Sequence, residues 1–200
     1  MGLKEELLRN ILGGIKGESI SLGENSIKNI NEVKRVYKLL LGTSNKLPLR
    51  IGNFDIKVQG TYIELDEHLH FNRYRLITLN SSIYKNTKIF NLELYKKLCK
   101  EHEEDCLKSG GYGGKWKNNS TEKLFAKSSP YKDLRGNGPS RWRQRAFYDF
   151  MKDLYATEKK IKLRRFSVWE RIESGVLIKD ILDKKLKAHY PQLRTHVMSK

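Results

Sequence analysis

Apolar residues recur along this chain in two distinct periods. Leu3, Leu7, Leu8, Ile11 and Leu12 fall at helical spacing within residues 1–16, and Gly13-Gly14 ends the run. A second helix follows, in which Ile27, Ile30, Val33, Tyr37, Leu40 and Leu41 keep the same spacing; Asn25 or Ser26 caps it and Gly42 stops it. After the connector at 43–48, apolar and polar residues alternate from Leu49 onward, which is the period of a strand. Helical spacing returns from Asn91 to about Lys108. A Gly-rich and polar stretch then reads as a long loop as far as Ser129-Pro130. Gly136–Ser140 introduces a strong helix with Trp142, Ala146, Phe150 and Leu154 on one stripe and Arg141 and Arg145 elsewhere. Lys162–Trp169 reads as a strand and Val176–His189 as a final helix. The pattern predicts an α+β chain with a central mixed sheet flanked by helices. Its expected organisation is N-terminal helices (1–48) packed on a domain at 49–200 that carries an insertion at about 80–140.

Composition narrows the partner. The 200 residues hold 40 Lys and Arg against 23 Asp and Glu, a net charge of +17, and 38% are hydrophobic, enough to form a core. No run approaches the roughly 18 apolar residues of a membrane helix. The acidic Met-Gly-Leu-Lys-Glu-Glu start is unlike a signal peptide. Two cysteines, Cys99 and Cys106, suit a reducing compartment, so a cytoplasmic protein without membrane contact is expected. The charge surplus favours a polyanion, and nucleic acid ranks ahead of an anionic membrane. It is densest at 131–165, where eleven Lys and Arg face four acids, a net of +7.

An acidic island interrupts this basic chain. If Gln59-Gly60 closes a two-residue hairpin, Val58 faces Thr61, Ile56 faces Ile63 and Phe54 faces Leu65. That register sets Asp55 opposite Glu64, with Asp66 on the same face. Facing like charges destabilise a sheet unless a cation offsets them, and Mg²⁺ or Mn²⁺ is such a cation. A continued strand would add His68 and His70, and an imidazole there can serve as acid or base at neutral pH. Without an ion, these acids form a solvated face beside Lys57.

The acidic strand of Tyr62-Ile63-Glu64-Leu65-Asp66, followed by His70-Phe71 and much later by Leu163-Arg164-Arg165-Phe166-Ser167-Val168-Trp169-Glu170, resembles the PD-(D/E)XK nucleases. Within them it is most similar to the very-short-patch repair endonuclease branch, over about residues 50–75 and 160–186. The resemblance implies a restriction-endonuclease-like core and a Mg²⁺- or Mn²⁺-dependent endonuclease acting on phosphodiester bonds, with double-stranded DNA ahead of RNA. Asp55 would be the metal acid of the first strand, Glu64 the first acid of the second, with Asp66 as a further ligand, and His70 the acid/base group. The pattern also calls for a lysine two residues after the second acid. Asp66 stands there instead, and Lys57 is one candidate replacement.

Arg73 and Arg75 can clamp a phosphate or pair with Glu67. Arg135, Arg141, Arg143, Arg145, Arg164 and Arg165 are the expected backbone contacts. Cys99, His102 and Cys106 share a helix face, yet lack the fourth ligand of a structural zinc site and read as core. Two other readings stand beside the nuclease: a non-catalytic nucleic-acid-binding protein, or a subunit of a larger restriction or defence complex. A homodimer or a partner subunit fits either.

Overall fold

The mixed four-stranded sheet is assembled from strands far apart in sequence. The computed structural model describes residues 2–199. Helix α1 (Leu3–Leu12) leads into β1 (Ile15–Lys16) and β2 (Ser19–Ser21), α2 (Ile30–Leu39) follows, and β3 (Arg50–Asn53), β4 (Ile56–Val58) and β5 (Thr61–Asp66) come next. Helices α3 (Arg73–Leu79), α4 (Leu92–Glu101), α5 (Glu103–Gly110), α6 (Gly113–Trp116), α7 (Asn119–Leu124) and α8 (Ser140–Lys159) precede β6 (Leu163–Ser167); α9 (Ile178–Asp183) and α10 (Tyr190–Ser199) complete the chain. The sheet order is β1-β4-β5-β6, with β4 antiparallel to β1 and β5, and β5 parallel to β6. Strands β2 and β3 form a separate pair.

The hairpin register matches its sequence pattern: Ile56 pairs with Ile63 and Val58 with Thr61. Gln59 and Gly60 both take positive φ, +47° and +74°, as a tight hairpin turn of this hand requires. The strand breaks at Phe54-Asp55. Phe54 does not face Leu65 but turns to the other side of the sheet, against Tyr62 and Tyr155 at centroid distances of 4.6 and 6.5 Å.

Each sheet face is covered differently. Ile56, Val58, Ile63, Leu65 and Phe166 pack under Leu8 and Leu12 of α1 and under α9 and α10. On the other face Glu64 and Asp66 of β5 and Arg165 of β6 are buried beneath α8. Alternation along β5 sends its apolar residues to one layer and its acids to the other. Helix α8 carries the larger core, with Trp142, Ala146, Phe147, Phe150, Met151 and Leu154 all buried.

Several sequence expectations need correction. The second helix begins at Ile30, after a 3₁₀ turn at Glu24–Ser26. The helix expected over 91–108 splits at His102, whose φ of −112° and ψ of 16° are not helical, and Glu103, Glu104 and Asp105 open a new first turn where the helix dipole favours acids. The expected long loop contains α6 and α7, anchored by the wholly buried Trp116 and Phe125. The helix expected over Val176–His189 is shorter, α9 at Ile178–Asp183 followed by a 3₁₀ turn at Lys187–His189, and α10 lies beyond the expected span. β1, within the segment read as N-terminal helices, is a strand of the main sheet.

Candidate functional site

The strand does not continue through His68 and His70, which form a 3₁₀ turn, because Phe71 folds inward and is fully buried. That turn brings His70 back over the end of β5. Its Nδ1 lies 2.8 Å from Asp149 Oδ2 and 3.3 Å from Asp66 Oδ1. One ligand atom from each of Asp66, His70 and Asp149 lies within 4.8 Å of the others. Asp66 and Asp149 are buried and His70 is half-buried.

Asp149 comes from α8, where Arg145, Asp149, Lys152 and Asp153 follow one another at helical spacing and turn toward the sheet. Arg165, fully buried, is the hub beneath them. Its Nη1 donates to Asp66 Oδ1 at 2.7 Å, its Nε to Asp153 Oδ1 at 2.6 Å and its Nη2 to Asp149 Oδ1 at 3.4 Å. Arg75 Nη2 donates to Asp153 Oδ2 at 2.7 Å, as does the Tyr84 hydroxyl at 2.7 Å. Tyr95 donates its hydroxyl to Asp66 Oδ2 at 3.1 Å.

Beside this hub, Lys152 Nζ sits 2.8 Å from each oxygen of Glu64. The Asp55 backbone N–H donates to Glu64 Oε1 at 3.0 Å, and the Asp55 carboxylate accepts from the Leu65 N–H at 2.9 Å, taking the place of a ladder bond. Burial, then the neighbouring Glu64, pushes the Asp55 carboxyl well above its ordinary range. Asp149 shifts the other way: burial works against its charge, but His70 and then Arg165 hold it well below the usual carboxylate range. Burial also opposes the Lys152 charge, and Glu64 and Asp55 outweigh it and hold the amine protonated.

The network joins five carboxylates, of Asp55, Glu64, Asp66, Asp149 and Asp153, to three permanent cations, Arg75, Lys152 and Arg165. The field of Glu5 on α1 adds to that of Glu64 at Asp55. Asp66, His70 and Asp149 offer two carboxylates and an imidazole nitrogen close enough together to hold one divalent cation, and the imidazole shifts the preference from Mg²⁺ toward Mn²⁺.

His70 lies at the rim of an open cleft of about 500 Å³ lined also by Lys4, Glu67, His68, Lys115 and Arg145. Arg145 is one of its lining residues, and its Nη1 is buried without a hydrogen-bond partner. Lys115 reaches across from α6, bonding the Ser109 carbonyl at 3.2 Å and the Tyr112 hydroxyl at 3.0 Å.

The structure redistributes the other expected residues. Lys57 is not beside the acids: its amine pairs with Glu18 at the surface and lies over the Tyr62 ring. Arg75 and Arg165 are interior hubs, and Arg143 is buried with its guanidinium on the Asn137 and Ala126 carbonyls, so none of the three offers a surface phosphate contact. Arg73 pairs with Glu103 rather than Glu67, at 2.6 Å, and Arg135 with Asp133 at 3.2 Å. Arg141 bonds Gln144, and Arg164 bonds the Val197 carbonyl at 2.9 Å. Burial pushes both Cys99 and Cys106 up to about 12, as suits core thiols, while His102 stacks on Trp169 at 3.8 Å. Asp149, Lys152 and Asp153 were not singled out by sequence. Their signal was present as an i, i+3, i+4 set adjoining the apolar stripe of α8.

These features define an α+β protein whose mixed sheet holds a buried carboxylate–guanidinium network opening on a basic cleft. Residues 35–187 match a family of unknown function, DUF7255, and the chain belongs to that family. Every residue of the network lies within the matched span. No curated protein and no solved structure matches the chain. Among the described residues no helix is long and apolar enough to cross a membrane.

Proposed function

We propose that this protein is a divalent-cation-dependent nuclease that hydrolyses phosphodiester bonds, with DNA as its principal substrate. The observation that carries the reading is the Asp66–His70–Asp149 cluster, whose His70 lines a cleft shared with Lys4, Lys115 and Arg145. The central position of the acidic strand in a mixed sheet supports the nuclease-like core that the sequence resemblance implies.

Asp66 and Asp149, with His70 as third donor, would hold Mn²⁺ or Mg²⁺. Such an ion lowers the pKa of a bound water and neutralises charge on a phosphate oxygen. Arg165 fixes both carboxylates from beneath, so their positions do not depend on the ion. Arg145, a lining residue of the cleft, would contribute positive charge toward a phosphate there. Lys115 adds positive charge at the same mouth. Without a cation, His70 Nδ1 lies within reach of both carboxylates, at 2.8 Å from Asp149 and 3.3 Å from Asp66, and a bound ion would take over that contact. Lys152 takes the place of the lysine missing from the strand motif, neutralising Glu64 from α8.

A second reading, a nucleic-acid-binding protein that keeps the core without the chemistry, draws on Arg165 and Lys152. Between them they already pair with Asp66, Asp149, Asp153 and Glu64.

Incubation with supercoiled plasmid, single-stranded circular DNA and RNA in Mn²⁺ and in Mg²⁺ separates the two. Wild-type chain is expected to cleave, and His70→Ala and Asp149→Asn to lose about 100-fold or more in rate. No cleavage by folded wild-type protein, or equal cleavage by both variants, overturns the nuclease reading.

A further inference from the structure

With Arg75, Arg143 and Arg165 in the interior, much of the +17 surplus remains to be located on the surface. A groove of about 530 Å³ runs between the Ser82–Ile89 segment and the end of α8 with the residues that follow it, up to Lys162. Lys85, Lys88, Lys160 and Lys162 line it, with the polar side chains of Asn86 and Thr87, and no carboxylate does. All four lysines are exposed. None of their amines makes an ion pair or hydrogen bond among the described residues. Glu158, the nearest acid along the chain, is turned away and accepts from the Lys28 and Asn29 backbone N–H groups at 3.2 and 2.9 Å. On α4, by contrast, Lys96 pairs with Glu93 at 3.3 Å and Lys97 with Glu101 at 3.7 Å.

Lys160 closes α8 in the left-handed region at φ 54°, a place where glycine is the usual residue, and puts its charge at the negative end of the helix dipole.

From these observations we propose that the groove seats the sugar–phosphate backbone of a nucleic acid, as a substrate-holding surface of the protein read above as a nuclease. Backbone contacts of this kind come from lysine amines and neutral hydrogen-bonding side chains and carry no base specificity. Lys162 lies beside the start of β6, where its carbonyl accepts from Tyr62 N–H at 2.8 Å, at the opposite end of β5 from Asp66 and His70. Changes in the groove therefore leave the acidic network intact.

Fluorescence anisotropy in EDTA, with a labelled DNA duplex and a labelled single strand of the same length, measures binding without cleavage. The test compares Lys88→Ala/Lys160→Gly/Lys162→Ala with Lys96→Ala/Lys97→Ala/Lys100→Ala, which removes the same charge from α4. The groove variant is expected to bind about tenfold more weakly and to lose about 2 to 3 from the slope of log K against log salt, while the α4 variant stays within about twofold of wild type. Equal weakening by both variants, an unchanged groove variant, or absence of wild-type binding at low salt overturns the proposal. Groove-dependent binding without cleavage would refute the nuclease reading alone. Cleavage with groove-independent binding would refute the groove alone.

Discussion

Lys152 Nζ lies 2.8 Å from both carboxylate oxygens of Glu64, although the two residues are 88 positions apart. The contact ties α8 to the centre of the sheet. It also places an ammonium where the strand motif, read locally, lacks one. Both groups are buried, so their mutual neutralisation is a condition of α8 docking in this register.

The pair can be separated into its parts by a double-mutant cycle. Lys152→Met leaves Glu64 ionised and uncompensated and is expected to cost about 3–5 kcal/mol in urea unfolding. Glu64→Gln in the Lys152→Met background removes the stranded charge and is expected to recover most of that loss. Additive losses in the double variant would show that the two side chains stabilise the fold independently.

Asp55 gives the opposite sign. Its carboxyl titrates well above the ordinary range because of burial and then Glu64, so the folded chain holds that proton more tightly than the unfolded chain does. The resulting stability is present at pH values below the unfolded carboxylate pKa, about 4, and is lost as pH rises through the raised folded value. Asp55→Asn keeps an acceptor for the Leu65 N–H and removes the titration. The variant is expected to gain about 1 kcal/mol over wild type at pH 8 and little at pH 4, measured by denaturation at both. A gain that is the same at both pH values contradicts this assignment.

Much of the fold could be read from the chain, because it rests on local periodicity. The hairpin register followed from alternation and from Gln59-Gly60, and the long α8 from the Trp142–Leu154 stripe. The site was legible only in part. Glu64, Asp66 and His70 stood out as acids and imidazole around one strand, but Asp149 and Asp153 looked like members of a solvated basic face. Sequence density cannot tell an exposed charge from one buried against a partner about 80 residues away, and Arg75, Arg143 and Arg165 were misplaced for the same reason. Lys57 was misplaced because strand alternation fixes the face of a side chain and not its reach: a flexible stem took its amine to Glu18. His70 met Asp66 by a route no strand pattern contains, a 3₁₀ turn at the end of β5.

The central claim is that Asp66, His70 and Asp149 form a divalent-cation site. Calorimetric titration of the chain with Mn²⁺ tests it most directly. One Mn²⁺ per chain is predicted, lost in Asp149→Asn and in His70→Ala while Glu18→Gln binds as wild type does. Absence of saturable binding by the folded chain, or binding that survives both Asp149→Asn and His70→Ala, would contradict it.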